Sequence, residues 1–149
     1  MLIDCPAGIE QGFRNAIAGA DEAIVVATPE VASIRDADRV VGLLAAQDIS
    51  TRLIVNRISA QMVKKGDMLS QNDVIEILAL ELLGTVPLDD QIVATTNKGI
   101  PAVIEGKSLA AKELQRIAKK LAGMEVPEDQ PLGFFARLGR ALGLSASPA

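Results

Sequence analysis

The 149-residue sequence contains no histidine, no tryptophan and no tyrosine, and it contains one cysteine. Without histidine the chain cannot form a Ser-His-Asp triad, a Cys-His pair or a His-ligated metal site. One cysteine excludes an internal disulfide and a thiolate metal cluster. We expect Cys5 to be a small buried residue, because no neighbouring base would activate its thiol. These absences remove several large classes of enzyme and metalloprotein.

Acidic residues outnumber basic ones, with 19 Asp and Glu against 15 Lys and Arg, so the formal net charge is -4. An acidic chain is a poor match for a polyphosphate backbone, so nucleic acid is not an expected partner. The charge is uneven, however. Residues 134–149 carry Arg137 and Arg140 and no acidic residue. No run approaches the roughly 20 apolar residues that span a bilayer, and no basic segment precedes the apolar start as in a signal peptide. We therefore expect a cytoplasmic chain with a separate role for its basic end.

Short runs of β-branched residues alternate with segments of helical periodicity along residues 1–122. This alternation predicts an α/β fold, with a mostly parallel sheet flanked by helices. The run at 23–27 predicts a strand that is covered on both faces. Ser70 and Asp73 resemble a capping box. We expect strands at 1–3, 23–27, 51–56 and 83–87, helices at 9–19, 29–47, 70–82, 89–97 and 108–121, a loop or short helix at 59–66, and an apolar link at 101–103.

Residues 123–133 have the composition of a linker, and residues 134–144 form an amphipathic pattern. A helix over 134–144 is about 16 Å long, so it is too short to cross a bilayer. We expect it to lie in the plane of an anionic membrane, although it could instead pack on its own domain. On that helix one arc holds Phe134, Phe135, Leu138 and Leu142, and the far side holds Arg137 and Arg140.

Several short runs of the sequence carry a family resemblance. They are LIDCPAGIE (2–10), TPEV (28–31), IRDADR (34–39), VNR (55–57), KGDM (65–68), GTVPLDD (84–90), NKGIP (97–101) and GFFARL (133–138). Together they span nearly the whole chain and resemble the MinD family of septum site-determining ATPases. This family lies within the deviant Walker A class that also includes ParA and nitrogenase iron protein. The Asp-x-Pro-Ala-Gly motif is shared by the wider class, whereas the basic amphipathic end is typical of MinD.

The resemblance implies a P-loop NTPase-like fold, with ATP and Mg²⁺ as ligands. Asp4 would be the Walker B carboxylate for Mg²⁺, and the Gly8 amide would sense the γ-phosphate. Read without the family, Asp4 is an ordinary strand-end residue that caps the next turn.

For the adenine base, the resemblance implies that Asn56 and Arg57 contact one side. Pro87, Leu88 and Asp89 would form the other wall. Both segments follow strands, and the carboxyl ends of parallel strands are where open α/β sheets bind ligands. Without the family, Asn56 and the Pro-x-Asp sequence are ordinary turn residues.

Four charged residues of one predicted helix correspond to the family's dimer and activator-binding region. The ordinary interpretation is a solvated helix face with intrahelical ion pairs. The four residues are Arg35, Asp36, Asp38 and Arg39.

The sequence has no GKGGVGKT-like phosphate loop and no first switch region. We therefore expect a partial P-loop ATPase domain at 1–122 that is inactive by itself. Proteins of this family determine where the cell divides. ATP drives a homodimer onto anionic inner-membrane lipid, and the dimer recruits the septum inhibitor MinC. MinE or another activator then triggers hydrolysis. The resemblance thus implies a bacterial cytoplasmic protein that is peripheral at the inner membrane.

Two alternatives stay open. The chain could be a non-catalytic membrane-binding or interaction fragment, or another positioning ATPase of the ParA/MinD class. A partition ATPase would be expected to carry a basic DNA-binding patch, which this acidic sequence lacks. A NAD-binding dehydrogenase is not expected, because there is no Gly-x-Gly-x-x-Gly sequence.

Overall fold

The computed structural model describes residues 1–6 and 8–126. The predicted helix at 134–144 and most of the predicted linker therefore lie outside the described residues. The elements are α1 (Gln11–Ile17), β1 (Glu22–Ala27), α2 (Val31–Ala45), β2 (Ser50–Ile58), α3 (Ala60–Lys65), α4 (Gln71–Leu78), β3 (Glu81–Pro87), α5 (Asp90–Asn97), α6 (Ala102–Glu105) and α7 (Leu109–Leu121).

The three strands form a parallel sheet in the order β1-β2-β3. Val25 pairs with Leu53, and Leu53 pairs with Leu82 in turn. Parallel neighbours need crossover connections, and α2 and α4 supply them. The predicted α/β class with a parallel sheet is confirmed.

Helices cover the two faces of the sheet unequally. On one face Leu53 and Val55 are fully buried against α1, α2 and α4, whose contributions include Phe13, Leu44 and Val74. The opposite face is covered by α7, which packs on β3. That second cluster contains Ile54, Leu83, Val86, Ala110 and Ile117.

Two expectations about the first strands are wrong. Residues 1–3 are not a strand: they are exposed and pair with no strand in the described part of the chain. A segment is a β-strand only when its backbone hydrogen-bonds to a neighbouring strand. Within the described residues, β1 pairs with β2 alone and no segment pairs with its other edge. Val26 of β1 is 58% exposed, so β1 is not covered on both faces. The reason is that α7 lies over β3, two strands away.

Two smaller expectations also need correction. Cys5 is exposed rather than buried, because it precedes the first helix on an open segment. The link expected at 101–103 instead enters a short helix, α6. Gly106 has φ of 62° and ends that helix in the left-handed conformation that glycine adopts without strain.

Local signals set several helix starts. Ser70 caps α4, and its capping box with Asp73 is complete: Ser70 Oγ accepts from the Asp73 amide at 3.2 Å, and Asp73 Oδ2 accepts from the Ser70 amide at 2.7 Å. Ser108 caps α7 in the same way, through the amide of Ala111. Among residues 1–6 and 8–126, no helix combines the length and apolarity needed to cross a membrane.

Candidate functional site

The carboxyl ends of β2 and β3 meet at one edge of the sheet, where parallel α/β sheets bind ligands. Asn56 and Arg57 lie close to the carboxyl end of β2. Residues 87–89 end β3 and lead into α5. The structure therefore brings together the five residues that the family resemblance assigns to the adenine base.

A β-bulge shapes the β2 side of this edge. β2 carries two residues, Asn56 and Arg57, where β3 carries one, Val86. Arg57 has φ of 59°, in the left-handed region that non-glycine residues seldom adopt. Asn56 stabilises this turn, because its Oδ1 accepts from the Arg57 amide at 2.9 Å. Bulges redirect side chains and concentrate next to active sites.

Leu88 continues the contact between the two strands beyond the end of β3. Its amide donates to the carbonyl oxygen of Ile58 at 2.9 Å, which places Leu88 beside the residue that follows Arg57. Pro87 is buried, whereas Leu88 is 48% exposed. An exposed leucine on a fixed backbone can contact the face of a flat ring.

Asp89 is engaged within the protein. Its Oδ1 accepts from the Gln91 amide at 3.0 Å, and its Oδ2 accepts from the Ala110 amide at 3.2 Å. The Pro-x-Asp sequence thus does perform the helix-capping role that turn residues commonly perform. The start of α5 at this position was expected from the local sequence. The bond to α7, across 21 positions, was not visible in the sequence.

The five residues above lie at or just after the carboxyl ends of β2 and β3, whereas Asp4 and Gly8 precede α1 in the chain. Both are exposed, and Asp4 forms no hydrogen bond or ion pair within the part of the chain that the structure describes. Gly8 has φ of 93°, a backbone conformation that requires glycine. Their assignment to Mg²⁺ and to the γ-phosphate stays a prediction.

The four charged residues of α2 share its outer surface. Arg35, Asp36, Asp38 and Arg39 are all exposed, and Asp36 and Arg39 lie 4.0 Å apart in an i,i+3 pair. An exposed pair of this kind contributes little to stability. The face is free for a partner, and its role in a dimer or with an activator stays a prediction.

Sequence reasoning gave no role to the loop at 66–70, which spans the same edge of the sheet. The Leu69 amide donates to the carbonyl oxygen of Pro29, which follows β1. The Ser59 amide donates to Sδ of Met68 at 3.3 Å. The only signal was the KGDM run in the family pattern, and the contacts themselves join segments that are distant in the chain.

Hydrogen bonds from Ser70 hold the pKa of the Asp73 carboxyl below the ordinary 3.8. In the described ranges 1–6 and 8–126, no three acidic, histidine or cysteine side chains gather into a metal site.

Comparison with known protein families defines the class. Residues 1–122 match the ParA family profile described as "NUBPL iron-transfer P-loop NTPase". The chain therefore belongs to the ParA family of P-loop NTPases, and its parallel sheet flanked by helices is the fold of that class.

Within this family, the chain is similar to several MinD proteins. The septum site-determining protein MinD of Synechocystis sp. is 51% identical over 129 residues, which are 85% of this chain and 48% of that protein. A chain of the solved MinC:MinD cell division protein complex of Aquifex aeolicus matches with a TM-score of 0.79 and 45% identity. The match covers 85% of the present chain and 53% of the Aquifex chain. MinD of Pyrococcus horikoshii, solved with Mg-ADP, has a TM-score of 0.70 and 26% identity, with 88% and 50% coverage. The chain thus resembles MinD, and spans about half the length of the curated relatives it matches.

Proposed function

We propose that this chain provides the base-binding edge and the membrane- and partner-binding parts of a MinD-type ATPase that places the division site. The observation that carries the proposal is the bulge at Asn56 and Arg57 beside the exposed Leu88. A purine needs an apolar contact on its face and hydrogen-bonding groups on its edge. Leu88 offers the first. Asn56 offers the second through Nδ2, which has no hydrogen-bond partner in the described residues.

The phosphates and Mg²⁺ would lie near Asp4 and Gly8. Magnesium at nucleotide sites is held by one or two carboxylates together with phosphate oxygens, so one unpaired exposed carboxylate fits this role. Bound Mg²⁺ neutralises the charge that develops on the phosphates. The Gly8 amide would donate to the terminal phosphate. The printed sequence has no Gly-rich phosphate loop, so the isolated 149-residue chain should give only background ATP turnover.

The proposed cycle is the one that the family resemblance implies. ATP would bring two copies together and pair their C-terminal helices on anionic inner-membrane lipid. Each basic residue near such a surface contributes on the order of 1 kcal/mol, so one helix binds weakly and two tethered helices bind much better. The dimer would recruit MinC, and MinE or another activator would trigger hydrolysis and release. The protein would thus alternate between the bacterial cytoplasm and the inner membrane.

Co-sedimentation tests the proposal as a whole. The natural gene product is mixed with MinC and vesicles of anionic phospholipid, with ATP, with ADP or without nucleotide. We expect MinC to sediment with vesicles only when both the gene product and ATP are present. A version that ends at Gly133 should leave MinC in the supernatant. If MinC stays in the supernatant with the intact protein and ATP, the proposal is wrong.

A second candidate function is a non-catalytic membrane-binding or interaction fragment. The observation that favours it is the missing phosphate-loop sequence. It predicts vesicle binding that is independent of nucleotide. A third candidate, another ParA/MinD-class positioning ATPase, predicts ATP-dependent vesicle binding without MinC. The same experiment separates all three.

A further inference from the structure

Helix α7 is basic, whereas the chain as a whole is acidic. The helix carries four basic residues and one acidic residue, in a chain of net charge -4. The acidic residue, Glu113, pairs with Arg116 at 3.5 Å, so these two charges compensate each other. Lys112, Lys119 and Lys120 form no ion pair within residues 1–6 and 8–126. Three positive charges on this one helix therefore stay uncompensated.

Lys112 and Lys119 lie on the side of α7 that faces away from the sheet. Ile117 marks the inner side, since it is buried and packs against Gly84 of β3. At about 100° per residue, the two lysines lie roughly 140° and 160° around the helix from Ile117. Both are exposed, and they stand two turns apart, about 10 Å along the axis. This outward face differs from that of α2, which mixes acidic and basic side chains.

The same helix leads towards the basic C-terminal residues. Met124 follows its last turn and is 57% exposed, and its amide donates to the carbonyl oxygen of Lys119 at 3.0 Å. An apolar side chain beside lysines is typical of surfaces that lie on a membrane. At full extension residues 123–133 reach about 36 Å, so α7 and Arg137 can contact one surface together. Because the two contacts are tethered, even a weak contact by α7 strengthens attachment.

We propose that the outward face of α7, formed by Lys112 and Lys119, is a second membrane contact that lies against anionic phospholipid headgroups. This inference rests on the proposed function, since it adds an electrostatic contact on the ATPase domain to that of the C-terminal helix. An anionic lipid surface attracts each nearby lysine without demanding a fixed geometry, which suits flexible side chains. Nucleic acid fits less well, because an acidic chain would need more phosphate contacts than this face offers.

The test is sedimentation of the natural gene product, with ATP, against vesicles of phosphatidylglycerol and phosphatidylcholine at physiological salt. Charges more than about 8 Å from the lipid are then largely screened. We expect Lys112→Glu with Lys119→Glu to weaken vesicle binding about tenfold. Lys112→Gln with Lys119→Gln should cause a smaller loss. Lys112→Arg with Lys119→Arg should preserve binding, because arginine keeps the charge.

The matched control is Arg14→Glu with Lys64→Glu. It makes the same change of net charge at exposed positions on α1 and α3. Because screening confines the attraction to charges near the lipid, we expect this pair to weaken binding by less than about twofold.

Three results overturn the inference. Equal losses for the α7 pair and the control pair would indicate an effect of net charge rather than of this face. Unchanged binding of the α7 pair would show that the face does not contact lipid. If the α7 pair keeps vesicle binding but loses binding to a duplex DNA fragment, the partner of the face is nucleic acid.

The version that ends at Gly133 separates this inference from the proposed function. If the shortened version loses vesicle binding and the α7 pair does not, the inference alone fails. If the unaltered gene product does not bind the vesicles, the proposed function fails and the inference fails with it.

Discussion

Ile117 of α7 occupies the space that a side chain on Gly84 of β3 would need. A Cβ built on Gly84 would lie 2.5 Å from Cγ1 of Ile117 and 2.8 Å from its Cδ1. The missing side chain lets α7 lie close against the strand.

Replacing Gly84 with alanine should therefore destabilise the fold. We expect Gly84→Ala to lower the free energy of unfolding by about 1–3 kcal/mol, because Ile117 is buried and cannot swing into solvent. Urea unfolding measures the loss. The control is Gly42→Ala on the exposed face of α2, where an added Cβ meets nothing within 4 Å and should raise stability by up to about 1 kcal/mol.

A double-mutant cycle identifies the cause. In an Ile117→Ala background, both clashing atoms are gone, so Gly84→Ala should cost almost nothing further. If the cost of Gly84→Ala is the same in both backgrounds, the contact with Ile117 is not its source.

The capping box of α4 should weaken in acid. Hydrogen bonding to Ser70 lowers the pKa of Asp73 in the folded state below 3.8. A depressed folded pKa means that the stabilisation is fully present above pH 3.8 and is lost as the pH falls through the folded value. NMR titration of the Asp73 carboxyl, with hydrogen exchange at the Ser70 amide, measures this. Asp73→Asn should remove the change in the protection factor of that amide with pH, since the protection factor is already corrected for the intrinsic pH dependence of exchange. A folded pKa at or above 3.8 would contradict the assignment.

Lys120 should anchor the C-terminal end of α7. Leu83 lies at a register shift, between the β3 residues that pair with Leu53 and Ile54 of β2. Lys120 Nζ donates to the carbonyl oxygen of Leu83 at 3.2 Å. Lys120→Met keeps the apolar part of the side chain and removes the donor, so we expect a loss of about 1 kcal/mol in unfolding free energy. Lys119→Met, its exposed neighbour, should change stability by much less. Equal effects of the two substitutions would show that the bond contributes nothing.

The C-terminal residues should govern vesicle binding by the chain itself. We expect the 149-residue chain to sediment with anionic vesicles more than a version ending at Gly133, with less binding as salt rises. Arg137→Glu and Leu138→Ala should each reduce the bound fraction, through charge and apolar burial respectively. Equal sedimentation of the full and shortened chains would remove the membrane-binding prediction.

Local sequence signals predicted much of the fold because their causes are local. The β-branched runs predicted β1, β2 and β3, and the spacing of Ser70 and Asp73 predicted a capping box that the structure confirms. Expectations that depended on distant partners were less accurate. Val26 is exposed because nothing described packs over it, and residues 1–3 form no strand because nothing described pairs with them.

The position of the candidate site residues at the sheet edge was predictable, but their detailed arrangement was not. Strand ends and the family runs pointed to Asn56, Arg57 and Leu88 at one edge. The bulge at Asn56 and Arg57 arises from how β2 pairs with β3, and the bond from Asp89 to Ala110 spans 21 positions. Neither could be inferred from residue types alone, because both are created by tertiary packing.

The central claim is that the edge formed by Asn56, Arg57, Pro87 and Leu88 binds an adenine base. The most direct measurement is a crystal structure of the natural gene product grown with Mg-ADP. Our account predicts the adenine ring between the bulge and Leu88, with Asp89 still bonded to Gln91 and Ala110. A nucleotide whose base lies elsewhere, with this edge empty, would contradict it.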